Sequence, residues 1–123
     1  MASIVVTSGK QEGEYLPLGR RTSVIGRAEN LLLQILDDLV SRKHLRIRFR
    51  ESEGRYYAED MDSRHGVLIN NLRITSETAL SEGDQILIGQ TTLLFTDKDF
   101  DDRESALMHY KKVSERDRRT VGE

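Results

Sequence analysis

The sequence predicts an all-β fold, an antiparallel β-sandwich, followed by an α-helical extension at the C-terminus. Three observations carry this reading. Up to about Asp97 the apolar runs are short, rich in Val, Ile and Leu, and split by Gly, Asn, Asp and Ser, the pattern of many short strands joined by turns. Within residues 44–50, Leu45, Ile47 and Phe49 alternate with Arg46, Arg48 and Arg50, as a half-buried strand requires. From Phe100 the texture changes: "FDDRESALMHYKKVSERDRRTVGE" has no proline and no glycine before Gly122.

The elements follow in order. "SIVVT" (3–7) reads as a strand that ends in the glycine-bearing turn "SGKQEGE", which leads into "YLPLG". "TSVIG" and "LLLQIL" come next; the second lacks the length or period of a helix and reads as a strand. After the alternating strand, "SEG" is a tight turn into "RYYAED". "VLIN" follows, then "SEGD" as a turn before "QILIG", and finally "TTLLFT". In the tail, Asp101, Asp102 and Glu104 come early and Arg116, Arg118 and Arg119 late, which complements a helix dipole. Ala106, Tyr110, Val113 and Asp117 give that helix a narrow, imperfect apolar stripe. It is suited to packing on the sandwich, to weak self-association with a second copy, or to leading into another domain. The expected organisation is a sandwich over 1–99 and a helix or linker over 100–123, in a module cut from a longer protein.

The 123 residues suit one domain with a single core, and the formal net charge is −2 with 33% of residues charged. A near-balanced, mildly acidic chain argues against nucleic acid as a partner, which calls for a clustered basic excess. The absence of cysteine removes disulfide scaffolds, thiolate zinc sites and cysteine nucleophiles together. No run approaches the roughly 20 apolar residues of a membrane span, and the opening lacks a signal-peptide pattern. The expectation is a cytoplasmic protein with no membrane partner. "TSGKQ" lacks the upstream glycine and following hydroxyl of a nucleotide-phosphate loop, and His44, His65 and His109 lack ligand-like spacing. No catalytic frame, metal site or cofactor site is expected.

Three loop-like segments stand out: Gly26-Arg27, Ser41-Arg42-Lys43-His44, and Asp62-Ser63-Arg64-His65-Gly66. Taken singly, each reads as a polar turn. If the loops converge on one end of a sandwich, Arg27, Arg42 and Arg64 surround one small volume with Ser41 alongside. That is oxyanion chemistry: a guanidinium presents a planar, always-charged fork of donors, and a hydroxyl adds a short directional bond. A phosphorylated side chain, with between one and two negative charges and three acceptor oxygens, is the matching ligand.

In combination the segments resemble the forkhead-associated (FHA) family. The resemblance lies in the order Gly26-Arg27, Ser41-Arg42-x-His44, Ser63-x-x-Gly66 and "GDQILIG" (83–89), and covers about residues 3–97. It implies a sandwich of about eleven short strands (FHA/SMAD-like) whose apical loops bind phosphothreonine peptides. It implies that Arg27 clamps the phosphate, Ser41 hydrogen-bonds a phosphate oxygen, and Arg42 adds charge or steadies the peptide. His44 resembles the family's structural histidine, and Gly26, Ser63 and Gly66 support the binding loops. Where the family carries asparagine before Gly66, this chain carries His65, with Arg64 before it. The pair bears on flanking-residue contacts, and Arg64 brings a third cation. The expected function is a non-enzymatic signalling module that docks phosphothreonine-containing proteins and recruits or regulates a partner or attached domain. The alternatives are a phospho-independent interaction or dimerisation module, and the regulatory domain of a larger signalling enzyme.

Overall fold

The computed structural model describes residues 2–97; the helix and self-association expected over 100–123 lie outside them. Eleven strands form two sheets. The strands are β1 (Ser3–Val6), β2 (Tyr15–Pro17), β3 (Ser23–Gly26), β4 (Leu33–Gln34), β5 (Leu45–Arg50) and β6 (Arg55–Asp60), followed by β7 (Val67–Ile69), β8 (Leu72–Arg73), β9 (Thr78–Ala79), β10 (Gln85–Ile88) and β11 (Thr91–Thr96). One sheet has the order β2-β1-β11-β10-β7-β8 and the other β4-β3-β5-β6-β9. No helix among the described residues is long and apolar enough to cross a membrane.

The alternating strand behaves as its pattern demands. Leu45 and Ile47 are fully buried and Phe49 packs against the same core, joined by Ile4, Ile25, Val67, Ile86, Ile88 and Leu93 from both sheets. Full burial of such aliphatic side chains contributes about 1.5–3 kcal/mol each. On the outer face the arginines are paired. Arg46 binds Glu59 across the β5–β6 ladder, and Arg48 and Arg50 converge on Glu77. Arg50 also lies 3.9 Å from the Tyr57 ring centroid. Burial pushes the Glu77 carboxyl up, but the Arg50 hydrogen bond and the charges of Arg48 and Arg50 outweigh it and hold its pKa below the usual value.

Two differences from the expected strands matter. β8 and β9, two residues each, were not legible as apolar runs. "LLLQIL" yields only Leu33–Gln34, and this strand pairs parallel to β3 through Ile25↔Leu33 and Gly26↔Gln34. All other pairings are antiparallel. The parallel pair has a consequence for the loops. β3 ends beside the start of β5, with Ile25 opposite Leu45, and a short β4 running alongside β3 also ends there. Connections 27–32 and 35–44 therefore both reach the same end.

Register brings the remaining loops to it. Leu45 pairs with Asp60, so the 61–66 loop leaves from that end. Val67 pairs with Ile88, which puts turn 89–90 there as well. Val6 pairs with Leu93, two residues into β11, and adds the 7–14 loop.

Candidate functional site

The first sequence motif is set by a close approach of backbone. Gly26 ends β3, and a Cβ at this position would collide with the Arg42 carbonyl oxygen and lie 2.8 Å from both the Arg42 carbonyl carbon and the Ser41 carbonyl oxygen. The contact exists because the 35–44 loop is laced to β3 and its continuation. The Arg27 N–H donates to the Ser41 carbonyl at 3.0 Å, Ala28 N–H to Arg42 at 3.1 Å, and His44 N–H to Ile25 at 3.0 Å. Arg27 is exposed, and its Nε donates to the Val40 carbonyl at 3.0 Å. That bond anchors the guanidinium through Nε and leaves both terminal Nη groups with no partner among the described residues.

His44 joins the second motif to the third. Its ring is fully buried. Nδ1 accepts the Ser41 N–H at 3.0 Å, so the ring proton sits on Nε2, which donates to the Gly66 carbonyl at 2.7 Å. The tautomer thus follows from the two partners. Ser63 Oγ accepts the Gly66 N–H at 2.9 Å while the Ser63 N–H donates to Asp60. Gly66 has φ +82°, and a Cβ there would press on the Arg73 guanidinium at 2.8 Å. Ser41 Oγ accepts the Arg64 N–H at 3.1 Å. The Ser41 hydroxyl proton has no described acceptor, so it is available to an anion. His44→Ala is expected to cost about 2–4 kcal/mol in urea denaturation, because the buried Gly66 carbonyl and the half-buried Ser41 N–H lose their partners and a cavity opens.

Two positioning residues escaped the sequence reading. Asp37 spans three elements: Oδ1 accepts the Leu39 N–H at 2.9 Å, and Oδ2 accepts the Gln90 N–H at 2.7 Å and the Thr91 hydroxyl at 2.8 Å. The local signal was present, since an aspartate bonding the backbone two residues on is a common turn device; its bond across the fold was not legible. Gln11 does the same for the 7–14 loop, accepting the Leu36 N–H at 2.7 Å and donating to the Gln34 carbonyl.

Burial pushes the Asp37 carboxyl up, but the bonds from Leu39, Thr91 and Gln90 outweigh it and hold its pKa below the ordinary value. A carboxyl with a lowered folded-state pKa adds stability above its unfolded value of about 4, and that stability is lost as the pH falls through the folded value. Asp37→Asn should therefore be less stable than the parent at pH 7, with the gap closing below about pH 4. Urea denaturation at a series of pH values checks this.

The structure brings Arg27 and Arg42 to one open cleft of about 940 Å³, to which Lys10 also contributes. Ser41 stands next to Arg42 in the chain and bonds the Arg64 main chain. The Arg64 and His65 side chains are exposed on the neighbouring loop and do not line this cleft. Anchored guanidinium, free hydroxyl proton and loop backbone form an arrangement suited to holding a tetrahedral oxyanion against a preformed surface.

Comparisons with known proteins place the fold in a family. A family model described as the FHA domain matches residues 23–89. The FHA domain-containing protein FhaB of Mycolicibacterium smegmatis is 33% identical over 90 residues, 73% of this chain and 57% of that protein. The oxoglutarate dehydrogenase inhibitor of Corynebacterium diphtheriae is 34% identical over 92 residues, 75% of this chain and 62% of that protein. The chain thus spans less than two thirds of the length of these relatives. Among solved structures, Mycobacterium tuberculosis EmbR in complex with a low-affinity phosphopeptide superposes with a TM-score of 0.70 at 26% identity, covering 82% of this chain and 25% of that one.

Proposed function

This chain belongs to the forkhead-associated family, and from that premise we propose that it binds phosphothreonine-containing protein segments and thereby recruits or regulates a partner or attached domain. The observation that carries the reading is the Arg27 guanidinium, held by Val40 through Nε with both Nη groups free, in a cleft shared with Arg42. Arg27 grips two phosphate oxygens through its fork, the Ser41 hydroxyl donates to an oxygen, and Arg42 adds charge. His44 takes no part in chemistry; it holds Ser41 and Gly66 in register. Threonine is favoured over serine by its extra methyl, and burying one such carbon contributes about 0.8 kcal/mol. The inhibitor among the relatives supports a regulatory output, and binding rather than catalysis is the family's mode of action.

One observation favours a second reading. His65 stands where the family carries asparagine, whose amide offers donors and an acceptor together, while neutral imidazole offers one of each on a larger ring. A domain that kept the sandwich and became a phospho-independent interaction module would carry such a change. A phosphothreonine peptide library with unphosphorylated and phosphoserine controls separates the two. Phosphate-dependent binding supports the first reading, and phosphate-independent binding of a folded sample supports the second. Under the first, His65→Asn is expected to tighten binding by about three- to tenfold through one added main-chain hydrogen-bond pair, read by isothermal titration.

A further inference from the structure

We propose that the cleft beside Arg27 selects phosphothreonine segments with a lysine or arginine close to the phosphothreonine, through the carboxylates of Glu29 and Asp38. The proposal rests on the phosphothreonine reading above and adds the chemical class of the flanking sequence.

The starting observation is how this protein treats its charges. On the β5–β6 face, cations and carboxylates are matched: Arg46 with Glu59, Arg48 and Arg50 with Glu77, Arg50 with Glu53. The cleft is different. Lys10, Arg27 and Arg42 line it together with Glu29, Asp37 and Asp38. Asp37 is committed to Leu39, Gln90 and Thr91. No ion pair or side-chain hydrogen bond joins Lys10, Arg42, Glu29 or Asp38 to any described residue. Opposite charges thus share one cleft without pairing with each other.

Their order in the chain is informative too. The 27–32 connection carries Arg27 and then Glu29, and the 35–44 connection carries Asp38 and then Arg42. These two loops each supply a cation and an unpaired carboxylate to the cleft, while the 7–14 loop supplies Lys10 alone.

A phosphate dianion complements only half of this arrangement. With neutral flanks it leaves Glu29 and Asp38 facing added negative charge, which opposes binding. A lysine or arginine beside the phosphothreonine gives the carboxylates their counter-ion and shields them from the phosphate. An acidic flank does the reverse, so the cleft both favours one class of sequence and rejects the other.

The test uses the whole 123-residue chain and fluorescence-polarisation titration at low salt. The probes share an alanine-glycine scaffold with a central phosphothreonine and carry a single lysine or glutamate at each flanking position in turn. Lysine at one or two positions should tighten binding about three- to fivefold, and glutamate there should weaken it. The double variant Glu29→Gln/Asp38→Asn should bind the unflanked peptide about twofold more tightly and lose the lysine preference. Opposite shifts on two peptides are not produced by damage to the fold. Phosphate-dependent binding with no lysine preference, or a preference that survives in the double variant, overturns the inference alone. No binding to any phosphothreonine peptide brings down the phosphothreonine reading and this inference with it.

Discussion

Arg27→Ala is expected to weaken phosphothreonine-peptide binding by about 100-fold or more, with a loss of folding stability of only about 1 kcal/mol. The two halves of this expectation come from different atoms of one side chain. Nη1 and Nη2 supply the charged fork, and hydrogen bonds to an ionised group contribute about 1.5–3 kcal/mol each, so two of them amount to at least a hundredfold in affinity. Nε supplies the anchor to Val40. Its loss from an exposed side chain costs about 1 kcal/mol of stability, while the Arg27 N–H keeps its bond to Ser41. Arg27→Lys separates charge from geometry. It keeps the cation but loses both fork and anchor, and should fall between parent and alanine, about tenfold below the parent. Titration of the three proteins with one phosphopeptide, beside their thermal melts, decides the matter. Equal affinity of the parent and Arg27→Ala would remove the phosphate clamp from this position.

Gly26→Ala should be the most damaging one-carbon addition at the site. The added methyl meets the Ser41-Arg42 backbone rather than a side chain able to swing away. It cannot be accommodated without moving the segment that presents the Ser41 hydroxyl and Arg42. The Gly26 carbonyl also accepts the Ile35 N–H at 2.7 Å, so the end of β3 has no freedom to retreat. Overpacking of this kind against backbone costs about 2–4 kcal/mol. For a domain of this size each kcal/mol lowers the melting temperature by roughly 4–8 °C. Peptide affinity should fall further than the fraction unfolded accounts for, because the displaced loop belongs to the proposed site. Denaturation curves and titration well below the melting temperature distinguish the two losses. A variant with normal stability and affinity would show that the loop yields cheaply.

The division between what was legible in the sequence and what was not follows physical lines. The β-sandwich, β5 with its buried and charged faces, and the three loop motifs were all legible, because each rests on neighbours in the chain. Alternation needs only a period of two, and a turn needs only a few residues of the right chemistry. The same locality made Gly26-Arg27, Ser41–His44 and Ser63–Gly66 recognisable, and the count of about eleven strands came with their resemblance to a family. Strands of two residues have no period to read, so β8 and β9 were missed. The parallel course of β4 was missed as well, although it delivers two loops to one end.

Tertiary structure alone decided which side chains meet. Asp37 reaches Gln90 across 53 residues, Gln11 reaches Leu36 across 25, and His44 reaches Gly66 across 22. It also decided that Lys10, Glu29 and Asp38 share a cleft with Arg27 and Arg42. Propensity and periodicity act along the chain, whereas these pairings depend on strand register and on loops closing over a common end. A one-residue slip in register would turn a strand's buried side chains to the opposite face and displace the loops that the strand carries.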